Sequence, residues 1–149
     1  MEKSPNIVMQ RLQYYINREL TDGISPFGNW LRGTFRKVEE GSLVIEFKVR
    51  EDMTNPVSIL HGGVTAAIMD DTMGMTVASL GRDTFYTTVN LAIDFLSSAK
   101  AGETITASTK INREGKNIVN VDCLIVNAEG KILAKGTSNL IRTTIPKSN

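Results

Sequence analysis

Apolar residues recur near helical spacing across residues 6–20, at Ile7, Val8, Leu12, Tyr15, Ile16 and Leu20. Ser4 and Pro5 suit a helix start and Asp22-Gly23 suits the chain beyond an end, so the pattern predicts an amphipathic helix over about 5–21. Residues 25–30 read as a loop or a short helical turn. The period then changes. Leu43, Ile45, Phe47 and Val49 alternate with Val44, Glu46 and Lys48, which is the period of a strand. A strand-like run at 34–38 precedes it across Glu39-Glu40-Gly41-Ser42, and a loop over 51–60 leads to His61-Gly62-Gly63. From about 62 to 80 the chain is apolar on almost every side, with small residues at Ala66, Ala67, Gly74 and Ala78. A helix apolar all round is wrapped by other structure. Four strand-like runs follow, at 84–97, 104–113, 117–126 and 131–144, and two of their connections are short and contain glycine, as hairpins do.

The order is helix, two strands, buried helix, four strands. It predicts an α+β fold in which a curved antiparallel sheet wraps one long central helix, with an N-terminal helix outside. A chain of 149 residues is expected to form a single domain, 1–149, with a core large enough to need no disulfide or metal. Its 17 Lys and Arg against 16 Asp and Glu leave a net charge of +1, which argues against nucleic acid or an anionic membrane as partner. One cysteine and one histidine exclude a disulfide framework and a cysteine-rich zinc site. The opening Met1-Glu2-Lys3-Ser4-Pro5 leads into no apolar signal core. The segment 62–80 is nearly long enough to span a bilayer, but Asp70 and Asp71 at its centre each cost about 2.5–3.5 kcal/mol on insertion. A cytoplasmic protein is expected.

Those two aspartates are the oddest residues in the chain. Ionised carboxylates are rarely buried without partners, and neighbours on a helix point about 100° apart, so at most one faces a reaction centre. The plainer alternative places both on a wet helix face or against Lys and Arg across an interface. His61-Gly62-Gly63 sits where a helix begins, and amides in a first turn lack internal partners at the positive end of the dipole. Such amides can stabilise an oxygen that gains negative charge, although glycine also starts ordinary helices and a lone histidine is often structural. Gly62 and Asp70 lie eight residues apart, about 12 Å along a helix, whereas a reacting carbonyl sits about 3 Å from both its donors and its base. Two antiparallel copies of the helix across a two-fold axis solve this, and they also cover its surplus apolar surface.

Asn55-Pro56, Leu60-His61-Gly62-Gly63 and Met69-Asp70 together resemble the hotdog-fold thioesterases, in particular the PaaI-like and 4-hydroxybenzoyl-CoA thioesterase group. The resemblance covers nearly the whole chain, in the order of its elements. It implies hydrolysis of an acyl-CoA thioester to a free acid and coenzyme A, with no metal or organic cofactor. The family places its acid nine residues after the histidine, which selects Asp70 as nucleophile or general base. Gly62 would polarise the thioester carbonyl through its N–H. His61 and Asn55 would orient substrate or water from the opposing subunit, and Thr88, early in the next strand, would support the water. The stretch 88–95 resembles the strand that pairs across the family's dimer, so a homodimer or a dimer of dimers, a homotetramer, is implied.

Other residues carry less. Cys123 shares a strand face with Val119, Val121 and Ile125 and has no second histidine to activate it, so core is the expected role. Met69, Met73 and Met75 suit an adaptable pocket or plain core filling. Arg113 and Lys116, on the hairpin around Gly115, could meet the CoA phosphates, with a solvated turn as the plainer reading, and Asp94 reads as a surface or interface charge. Two other function classes share the implied fold. A hydratase or dehydratase would place histidine in a different motif and use a Glu. A non-catalytic acyl-CoA sensor would need an output module, for which the residues before the first strand leave no room.

Overall fold

The computed structural model describes residues 4–147. Met1, Glu2 and Lys3, which open the segment read above as lacking a signal core, lie outside the described residues, as do Ser148 and Asn149. The elements in order are α1 (Ile7–Tyr14), α2 (Pro26–Leu31), β1 (Thr34–Glu39), β2 (Ser42–Lys48), a 3-10 turn (Glu51–Met53), α3 (Gly62–Ala78), β3 (Thr84–Phe95), β4 (Thr104–Glu114), β5 (Ile118–Asn127) and β6 (Ile132–Pro146). The strands form one six-stranded sheet in the order β1-β2-β4-β5-β6-β3, every pair antiparallel. Helix α3 connects β2 to β3, from one side of the sheet to the other, and touches every strand from β2 to β6. This is the expected sheet wrapped on a central helix.

Alternation decides which strand faces meet α3. Leu43, Ile45 and Phe47 of β2, Ile105 and Ala107 of β4, and Val119, Val121, Cys123 and Ile125 of β5 are all buried against Ile68, Met69, Met73 and Val77 of α3. Full burial of each large apolar side chain contributes about 1.5–3 kcal/mol, which makes this layer the main stabilising term. One close approach needs glycine. A Cβ at Gly136 of β6 would lie 2.5 Å from the Met69 sulfur.

Three boundaries differ from expectation. The first helix starts from an Asn6 cap rather than at Ser4-Pro5 and stops at Tyr14, well short of 21. Asn17 adopts φ 59°, and the Asn17 and Leu20 amides donate to Phe35 O and Gly33 O, so 15–20 bonds to the β1 edge instead of continuing the helix. The central helix ends at Ala78 rather than 80, where the Ser79 hydroxyl donates to Thr76 O and accepts the Gly41 amide. Residues 26–31 form a true helical turn and a half, α2, capped by Ser25. Among the described residues no helix is long and apolar enough to cross a membrane.

Candidate active site

The start of α3 can be accounted for amide by amide. His61 N donates to Met53 O, while Val64 N and Thr65 N both donate to His61 O. Gly63 N donates to His61 Nδ1 at 2.8 Å. Gly62 N is left over, with no acceptor among the described residues, and it is exposed. His61 is therefore a cap first. An Nδ1 that accepts carries no proton, which leaves Nε2–H as the ring's outward donor.

Asn55 belongs to the same cluster. Its side-chain oxygen accepts from Val57 N and Ile59 N at 3.1 and 3.3 Å, a turn that shapes the loop leading to His61. That engagement leaves the Nδ2 group to donate. Asn55 and Gly62 both line a cavity of about 270 Å³ whose other walls are mostly apolar. Phe95, at the end of β3, is also in that wall. Periodicity missed it, because Val89 is an extra residue between the pairs Thr88↔Leu140 and Asn90↔Asn139 and shifts the parity of the strand.

The same bulge matters for Thr88. Before it Tyr86 and Thr88 turn toward the helix side, and after it Leu91 and Ile93 pack there too. Thr88 Oγ1 donates to Asp70 Oδ1 at 2.6 Å. Asp70 is exposed. Thr88 and Asp70 thus form a second cluster on the body of α3, away from the cluster of Asn55, His61 and Gly62 at its start. One chain holds both clusters but does not bring them together, since eight residues of helix separate Gly62 from Asp70, about 12 Å.

Asp71 has the opposite surroundings. Its carboxylate faces Ser25 and lies against α2, where a Cβ at Gly28 would come within 3.2 Å of its Oδ2. Burial pushes its carboxyl up to about 6, the charge of Asp70 adds to the rise, and the Ser25 hydroxyl opposes it. Neither aspartate has a Lys or Arg partner among the ion pairs of the described residues. Cys123 is buried and its thiol is pushed up to about 12 by burial, so it is inert core. Among the described residues no three His, Cys, Asp or Glu side chains gather as a metal site.

The Thioesterase superfamily profile matches residues 58–134, which contain His61, Gly62, Asp70 and Thr88. Human acyl-coenzyme A thioesterase 13 is 33% identical over 97 residues, 64% of this chain and 69% of the relative. The structure of the Escherichia coli PaaI protein, 22% identical, superposes with a TM-score of 0.81 over 97% of this chain and all of that one, which shows the hotdog fold. A hypothetical thioesterase from Streptococcus pneumoniae, solved with coenzyme A, is 25% identical with a TM-score of 0.72 over 78% of this chain and 91% of that one. The chain whose α3 start leaves one amide uncommitted and whose Asp70 is braced by Thr88 is a member of the Thioesterase superfamily.

Proposed function

We propose that this chain hydrolyses acyl-CoA thioesters to a free acid and coenzyme A. The observation that carries the reading is the Gly62 N–H, left without an acceptor at the start of α3 beside a mostly apolar cavity. Relatives named acyl-CoA thioesterases support the substrate class.

The thioester carbonyl oxygen accepts from Gly62 N–H, where the positive end of α3 stabilises it as it becomes anionic. Asp70 supplies the attack on the carbonyl carbon. As general base it takes a proton from the attacking water; as nucleophile it forms an anhydride that water then opens. In the first route the carboxyl returns that proton to the sulfur as the C–S bond breaks; in the second the C–S bond breaks as the anhydride forms, and the sulfur leaves as a thiolate that takes its proton from water. Thr88 gives its one proton to Asp70 Oδ1, so it meets a water through its lone pairs. Asn55 Nδ2 and His61 Nε2–H donate to substrate or water. No cofactor takes part.

Each site takes Gly62, His61 and Asn55 from one copy and Asp70 and Thr88 from another, in a homodimer or a dimer of dimers. Two features support this assembly. The 12 Å along α3 is too far for one carbonyl. Among the described residues strand β3 is an unpaired sheet edge, twelve residues long with Phe85, Val89 and Phe95 exposed, a surface that free monomers normally blunt. We place the protein in the cytoplasm, where a lone thiol such as Cys123 stays reduced.

The test is release of free thiol from acyl-CoA esters of graded length by the intact protein. Turnover that vanishes in Asp70→Ala supports the reading; no turnover of any ester refutes it.

A further inference from the structure

The cavity of about 270 Å³ lies between the start of α3 and the end of β3. Its inner end is formed by Ile125 and Leu133, only 0% and 4% exposed. Phe95 stands at the side of Gly62, its ring carbons 3.5 and 3.8 Å from where a Cβ of Gly62 would be. Ser97 continues that wall. The Leu96 and Ser97 amides both donate to Leu133 O, at 2.9 and 3.1 Å, so the segment is tied to the sheet rather than hanging as a loose loop.

We infer that this cavity receives the acyl group of the substrate and limits it to a chain of about eight carbons or a single aromatic ring. The inference rests on the thioesterase reading, because a carbonyl held at Gly62 N–H puts one of its two substituents here. The pantetheine arm does not fit. It carries two amides that need partners, and it must run on to a nucleotide in solvent, whereas the cavity ends on Ile125 and Leu133. An acyl group is apolar and can stop there. At about 30 Å³ for each water-sized group, the cavity holds roughly nine heavy atoms. A longer chain must push against close-packed Ile125 and Leu133, which a well-packed interior resists, or turn the exposed Phe95 ring out of the wall.

S-alkyl-CoA thioethers cannot be hydrolysed, so calorimetry with an ethyl-to-hexadecyl series reads the cavity apart from catalysis. Affinity for the intact protein should rise about fourfold per methylene up to about eight carbons and then level or fall. Ser97→Phe, which fills the cavity, should reduce the octyl-over-ethyl preference at least tenfold, with circular dichroism and Tm checking the fold. Phe95→Ala, at an exposed position, should move the plateau to longer chains. Affinity that climbs unbroken to hexadecyl, an octyl-over-ethyl ratio unchanged by Ser97→Phe, or a plateau unmoved by Phe95→Ala overturns the inference. Thiol release measured in parallel keeps the two readings apart. Size-limited binding without hydrolysis of any ester defeats the thioesterase reading alone, and hydrolysis without a size limit defeats the cavity assignment alone.

Discussion

At the scale of single residues, Asp70 and Asp71 are neighbours with opposite environments, because one step along a helix turns the side chain about 100°. Asp70 is exposed and takes the Thr88 proton; Asp71 is turned under α2 against Ser25 and Gly28. Asp70→Ala should lower kcat/KM by about 10²–10⁴ with little change in Tm, while Asp71→Asn keeps most of the activity. Equal losses in a thiol-release assay would contradict the assignment. Thr88→Val should slow turnover without abolishing it. Asp71 also sets a pH dependence of stability. Its carboxyl ionises near 6 when folded but near 3.8 when unfolded, so between those values the unfolded chain holds fewer protons and stability falls as pH rises. The penalty approaches about 3 kcal/mol above pH 6. Urea unfolding should show Asp71→Asn gaining on the wild type from pH 4 to pH 7, and a constant difference would refute the cause. Of these residues, the resemblance singled out Asp70 and Thr88. The partners of Asp71 were not legible, since Ser25 and Gly28 are more than forty positions away in the chain.

At the scale of elements, the first turn of α3 and the bulge in β3 decide the site. The turn has four amides committed and one, Gly62 N–H, without an acceptor among the described residues. His61 has ψ 134°, the extended backbone that a following proline requires, and proline is favoured at the first helical position. Gly62→Pro therefore removes the N–H and little else. It should leave Tm within a few degrees and cost about 10²–10³ in kcat. Unimpaired kcat would show that this amide does not hold the oxyanion. The sequence pattern located all six strands, because period-two alternation follows from which face meets α3. It overran α1, since Tyr15, Ile16 and Leu20 continue the apolar spacing while the backbone of 15–20 bonds to β1, and a one-dimensional pattern carries no trace of that bonding. It missed Phe95 for a related reason. A bulge at Val89 shifts the parity of every later position in β3.

At the scale of the whole molecule, the proposed site requires assembly. The two clusters on α3 lie on one chain about 12 Å apart, and an unpaired β3 edge borders the second of them. Sedimentation should find a dimer or a dimer of dimers, and an active monomer would contradict the shared site. A mixed dimer of Asp70→Ala and Gly62→Pro chains, purified through two different tags, tests that site most directly. Each parent homodimer should be nearly inactive in thiol release. In the mixed dimer one site collects both lesions and the other collects neither, so half of the wild-type activity should return. A mixed dimer of native size and circular dichroism that stays as inactive as its parents would show that each site is built within one chain.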